Sequence, residues 1–105
     1  MDKKIKVAVM GATGAVGQVF MWMQADHPWF ELTYATASAS RVGLEYASTV
    51  HWVMPFEMPR NIRDVQVKEF NMEAMKEAGV KIVFSALPAE VAREAEPQLR
   101  DNGFY

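Results

Sequence analysis

The stretch Gly11-Ala12-Thr13-Gly14-Ala15-Val16-Gly17 has the residue types and spacing that could do chemistry. Its chemistry would come from the backbone. Gly11 permits a tight turn, Gly14 lets an anion approach with no Cβ in the way, and Gly17 lets a helix pack close on a strand. Free N–H groups at the start of a helix, together with the positive end of its dipole, favour a phosphate there. The spacing is Gly-x-x-Gly-x-x-Gly rather than Gly-x-Gly-x-x-Gly. A bare glycine pattern would also fit a turn that binds nothing. The strand before it and the amphipathic pattern after it favour the pyrophosphate of a dinucleotide.

A second candidate lies about 20 residues further on, where NAD-binding domains place Asp or Glu to hold the ribose 2′-hydroxyl. Here the segment reads Thr36-Ala37-Ser38-Ala39-Ser40-Arg41, with no carboxylate between Glu31 and Glu45. Hydroxyls and a guanidinium suit a 2′-phosphate, since Arg offers a bidentate, charge-assisted pair. NADP is therefore expected over NAD, the competing reading being that Arg41 is a solvated loop residue. Ser85, at the end of a later strand, either hydrogen-bonds the nucleotide or caps the next helix.

Nothing else in the chain has the makings of a catalytic centre. Cysteine is absent, which excludes disulfides, thiolate nucleophiles and Cys-based metal sites within these residues. His27 and His51 are the only imidazoles, each isolated from carboxylates at ligand spacing, so neither a metal site nor a catalytic residue is expected.

The elements that must position these residues follow from periodicity. Lys4 to Met10 turns continuously apolar, as a buried strand does. Val16, Val19, Phe20 and Met23 then form one helical stripe, expected to face the core. Pro28 ends that helix near Asp26-His27. Phe30 to Ala37 reads as a second strand and Ser38 to Gly43 as a loop. Leu44 to Arg63, with its prolines, predicts irregular structure in short pieces. Asp64 to Lys68 is a candidate short strand, and Met72 to Ala78 a short helix closed by Gly79. Val80 to Ala86 is a further strand. Ala89 to Arg100 is helical, with Val91, Ala92, Ala95 and Leu99 on one side and Pro97 expected to kink or split it. Alternating strands and helices predict an α/β class: a Rossmann-like, mainly parallel sheet with flanking helices.

At 105 residues, with half of them apolar and 23% charged, the chain has room for one globular domain. A formal net charge of −2, with no basic run beyond Lys3-Lys4, argues against nucleic acid as a partner. No apolar stretch suits a membrane span or a signal peptide, which points to the cytoplasm. Met21, Trp22 and Met23 are consecutive and cannot share one core, so exposed apolar surface and self-association into a homo-oligomer are expected.

These residues are specific enough to carry a family resemblance. Lys6 to Gly17, Asp26-His27-Pro28-Trp29-Phe30-Glu31, His51-Trp52, Ile62-Arg63-Asp64 and Ile82 to Pro88 resemble the N-terminal part of aspartate-semialdehyde dehydrogenases of the archaeal and fungal type. The resemblance implies NADPH-dependent reductive dephosphorylation of aspartyl phosphate in amino-acid biosynthesis, through a cysteine thioester with a histidine acid/base. It implies that Gly11, Thr13, Gly14, Ala15 and Val16 bind the pyrophosphate. Ser38, Ser40 and Arg41 would then face the 2′-phosphate, and Ser85 and Leu87 the adenosine side. Two departures stand out. The family's loop reads Ala-Ser-x-Arg-Ser-x-Gly, whereas here the arginine falls one place later, at Arg41. The family's Cys and His also lie beyond residue 105.

Residues 1–105 are accordingly expected to be a partial dinucleotide-binding domain, its sheet incomplete at the C-terminal side, with the catalytic and dimerisation domain absent and the chain inactive alone. Alternatives are a related acyl-phosphate or acyl-CoA reductase, such as malonyl-CoA reductase or N-acetyl-glutamyl-phosphate reductase, or a non-catalytic nucleotide-binding or self-associating module. The Tyr-x-x-x-Lys pair of short-chain reductases is missing, since Tyr34 and Tyr46 are followed at that distance by Ser38 and Val50.

Overall fold

Strand β1 (Ile5–Met10) lies near the middle of a parallel sheet because its last four residues are apolar and bury on both faces. The computed structural model describes residues 4–25 and 27–105. Helix α1 (Ala15–Gln24) follows, then β2 (Phe30–Thr36), a single 3₁₀ turn (Ala39–Arg41), and the short helices α2 (Tyr46–Thr49) and α3 (Arg60–Arg63). After these come β3 (Val67–Lys68), α4 (Met72–Glu77), β4 (Ile82–Ser85) and α5 (Ala89–Asp101). The sheet order is β3-β2-β1-β4, and every strand pair in it is parallel. Chain order therefore reverses at β1: the chain first moves outward through β2 and β3, then returns to β4 on the other side. This is the Rossmann-like arrangement expected from the alternation of elements.

Two apolar layers sandwich the sheet. On one face Ala8, Met10 and Tyr34 pack with Met75 of α4, Ala95 and Leu99 of α5, and Phe104. On the other, Val9 and Ala35 pack with Met21 of α1, Tyr46 of α2 and Ile62 of α3. Full burial of each aliphatic side chain contributes about 1.5–3 kcal/mol, so these layers hold the strand ends in register. Helix α4 starts where the Asn71 side chain accepts from the Ala74 N–H at 3.0 Å, an ordinary N-cap. Beyond β4, Tyr105 lies alongside the strand: its N–H donates to the Lys81 carbonyl at 2.9 Å, and its carbonyl accepts from the Val83 N–H at 2.7 Å.

Two expectations about helices are corrected here. The stripe Val16–Val19–Phe20–Met23 is not the core face of α1, whose buried residues are Gly17, Gln18, Met21 and Gln24. Val16, Val19, Trp22 and Met23 are exposed, and only Phe20 of that stripe packs against the core. The cause is Gly17. A Cβ there would sit 1.9 Å from the Gly11 carbonyl oxygen, so this position faces the strand-end loop and sets the rotation of the whole helix. Pro97, in turn, does not split α5, which runs unbroken through it. Both Pro97 and Arg93, whose carbonyl the proline cannot bond, are exposed, so the interruption falls on the solvent side of the helix rather than in the core. Among the described residues no helix is long and apolar enough to cross a membrane.

Candidate functional site

The reversal of chain order at β1 opens a crevice at the carboxyl ends of the strands, the place where open α/β sheets bind ligands. A cleft of about 520 Å³ lies there. Its base is Met10, Gly11, Thr13 and Gly14 after β1, flanked by Thr36, Ala37 and Ser38 at the end of β2. Ala86, Leu87 and Pro88 after β4 close the other side, and Phe70, Val91 and Ala95 add apolar wall. A larger hollow of about 620 Å³, bounded by Trp52, Glu57, Met58, Arg60, Arg63 and Asp64, lies away from the strand ends and has no glycine loop.

The glycine loop has a distinct reason for each glycine. Gly11 has φ +74°, and a Cβ there would meet the Ala86 carbonyl oxygen at 2.9 Å. Gly17 allows the contact already described. Gly14 differs: the nearest atom to a Cβ built there is 3.9 Å away, so nothing in the protein demands a glycine. The space its missing side chain leaves lies beside the cleft, as expected where a ligand approaches the backbone.

The start of α1 is correspondingly bare. Its N-cap is Gly14, with no side-chain hydrogen bond, and its first turn carries no acidic residue. The first helical bond runs from the Gln18 N–H to the Gly14 carbonyl at 2.9 Å, and among the described residues the N–H groups of Thr13 to Gly17 find no backbone acceptor. Such a cluster of free donors at a helix start suits an anion.

Two buried side chains hold this loop, and local sequence patterns do not reveal either. Tyr46 donates its hydroxyl to the Ala12 carbonyl at 2.7 Å. Burial pushes its phenol well above the ordinary range, so it remains a donor. Gln18 donates from Nε2 to the carbonyls of Thr13 (3.0 Å) and His51 (2.8 Å), while its Oε1 accepts from the Val53 N–H at 2.8 Å. The Ala12 N–H completes the set by donating to the Thr36 carbonyl at 2.9 Å. A glutamine next to Gly17 on the inner face of α1 was the available sequence signal, but two of its three partners lie more than thirty residues away.

Of the residues singled out from the sequence, Gly11, Thr13, Gly14, Ser38 and Leu87 are brought together around the cleft. Ala15 and Val16 sit in the exposed first turn of α1, outside the lining. The Ser40 hydroxyl pairs with that of Ser38 at 3.3 Å. Arg41 turns toward α2, its Nη1 donating to the Thr49 carbonyl and hydroxyl. Ser85 lies within β4 with its Oγ buried and lacking a partner among the described residues. It does not cap α5, whose N-cap is Pro88. Thr36, Phe70 and Val91 also line the cleft, and their places at the end of β2, just after β3 and in the first turn of α5 are what could have marked them. The contacts of the two histidines are local for His27 and through the backbone alone for His51. His27 Nδ1 accepts from the N–H groups of Trp29 (3.1 Å) and Phe30 (3.3 Å), and the His51 carbonyl anchors Gln18. No group of three or more potential ligands that could hold a metal ion occurs among the described residues.

Known proteins share this architecture and sequence. Residues 6–105 match the semialdehyde dehydrogenase, NAD binding domain, family. The chain is 44% identical to an aspartate-semialdehyde dehydrogenase of Archaeoglobus fulgidus over 96% of its own length and 29% of that protein's. It is 36% identical to malonyl CoA reductase (NADP) of Metallosphaera sedula over 99% of this chain and 28% of the other. The crystal structure of aspartate semialdehyde dehydrogenase with NADP from Candida albicans superposes with a TM-score of 0.84 at 30% identity, over 97% of this chain and 28% of that one. The chain thus spans less than a third of the length of these relatives. A glycine loop at the sheet's reversal point and a family match over nearly all the residues agree: the chain belongs to the semialdehyde dehydrogenase NAD-binding domain family.

Proposed function

We propose that this chain binds NADP in the strand-end cleft as the nucleotide-binding part of an aspartate-semialdehyde dehydrogenase. The observation that carries the reading is the loop from Gly11 to Gly17, whose unpaired N–H groups and side-chain-free Gly14 border the cleft. Gly11, Thr13, Gly14, Ala15 and Val16 would hold the pyrophosphate. Leu87, with Phe70 and Val91, supplies apolar surface for the adenine. Preference for NADP over NAD is supported by the hydroxyl of Ser38 in the cleft wall and by the lack of a carboxylate from Thr36 to Arg41. Ser40 and Arg41 would join it at the 2′-phosphate. Nη1 of Arg41 is held by Thr49, while its other guanidinium nitrogens have no partner among the described residues.

When bound, the nicotinamide would supply hydride for reducing an acyl intermediate. The chain's own residues bind and orient the nucleotide. With no cysteine in the sequence, the nucleophile and the acid/base would reside outside residues 1–105, which would form part of the dinucleotide-binding domain and be inactive alone. The M. sedula likeness keeps an acyl-CoA substrate as the second reading. The exposed side of α1 (Val16, Val19, Trp22 and Met23, with the Phe56 ring tilted against Trp22 at 5.0 Å) is the surface through which the chain would self-associate.

Calorimetric titration of the purified chain tests this reading. NADP is expected to bind at least tenfold more tightly than NAD, and Arg41→Ala to narrow that gap about threefold. Equal affinity would remove the NADP assignment. Failure of a folded chain to bind either nucleotide would remove the binding role.

A further inference from the structure

Within the glycine loop, the side chains of Gln18 and Tyr46 bond only carbonyls, and peptide planarity gives this a consequence. In a trans peptide the N–H points opposite to the C=O of the preceding residue. The Ala12 carbonyl faces inward to the Tyr46 hydroxyl, so the Thr13 N–H is turned the other way. The Thr13 carbonyl faces inward to Gln18 Nε2, so the Gly14 N–H is turned the other way too. Thr13 and Gly14 both line the cleft.

We propose that Gln18 and Tyr46 are positioning residues that fix the direction of the Thr13 and Gly14 N–H groups, presenting both to an anion in the cleft. Neither side chain lines the cleft itself. Gln18 is 2% exposed and Tyr46 fully buried, so both act from behind the loop. Gln18 is itself kept from swinging by its bonds to the His51 carbonyl and the Val53 N–H. Without these bonds the two peptides could flip to satisfy their carbonyls with water, and the N–H groups would be lost to the ligand. The proposal rests on the nucleotide-binding reading for its purpose, but its geometry can be examined without a nucleotide.

The test uses Gln18→Met, which keeps the side-chain length and removes all three bonds, and Tyr46→Phe, which removes one hydroxyl. The backbone amide resonances of the chain are recorded without ligand, then with NADP. In both folded variants the Thr13 and Gly14 amide resonances are expected to move while those of β1 and β4 stay, and NADP affinity is expected to fall about tenfold. If the Thr13 and Gly14 amides keep their shifts in a folded variant, or NADP binds it as before, the proposal is overturned. Should Gln18→Met not fold, Tyr46→Phe is read by the same criteria. If the unaltered chain binds no NADP, the nucleotide reading fails by itself, and the ligand-free shifts still decide whether these side chains orient the loop.

Discussion

Two loops border the same cleft and are built in opposite ways. The loop after β1 is held from within: by Gly11 and Gly17, which have no room for a side chain, and by Tyr46 and Gln18, which hold its carbonyls. The loop after β2 is held mostly by its neighbours. The Ser38 and Ser40 hydroxyls meet at 3.3 Å, the Arg41 N–H donates to the Ser38 carbonyl at 2.9 Å, and Arg41 reaches only to Thr49. A pyrophosphate is common to all dinucleotides and would be met by rigid backbone. The group that distinguishes NADP from NAD would be met by exposed side chains that can change without disturbing the core.

Gly17→Ala would break that contrast at its strongest point. A Cβ 1.9 Å from the Gly11 oxygen and 2.8 Å from the Ala12 Cα meets backbone that cannot yield cheaply. The expected cost is about 3 kcal/mol or more, read as a lowered thermal midpoint by circular dichroism. A midpoint within a degree or two of the parent's would show that the loop is not rigid. Gly14→Ala should separate binding from stability. The position has room, so the midpoint is expected to stay within what about 0.5 kcal/mol would cause, while NADP affinity falls at least tenfold. Parent-like affinity would mean that no ligand approaches Gly14. Ser38→Asp sharpens the other side of the comparison: on an exposed loop it should leave the midpoint unchanged and move the NADP-to-NAD preference about tenfold toward NAD. An unchanged ratio would place the 2′-phosphate elsewhere.

The same division explains what the sequence revealed. Strands β1 and β4 are mainly apolar runs and β2 is rich in β-branched and aromatic residues, and the glycine spacing marks the β1 loop directly, so the sheet and the base of the site were legible. The orientation of α1 was not. Apolar periodicity pointed to Val16, Val19 and Met23, but steric contact at Gly17 decided the rotation and turned Gln18 and Gln24 inward. Hydrophobic patterns report transfer free energy and say nothing of a close backbone contact. Tyr46 looked like one aromatic in an irregular segment, because its role depends on Ala12, 34 positions away. The continuity of α5 through Pro97 was hidden for a related reason: whether a proline splits a helix depends on the side of the helix on which it falls, which only the packing of α5 decides.

The long reach of Tyr46 and Gln18 also bears on when the site forms. Their bonds to Ala12, His51 and Val53 close loops of 33 to 35 residues, far longer than the motif itself. Closing such loops costs chain entropy before any contact repays it, and non-local contacts of this kind slow folding. The anion cradle is thus expected to be complete only once α2 and the segment after it have returned to the end of β1. A synthetic peptide spanning only β1 to α1 would carry every glycine of the motif and Gln18, but neither Tyr46 nor the His51 and Val53 groups that fix the Gln18 side chain.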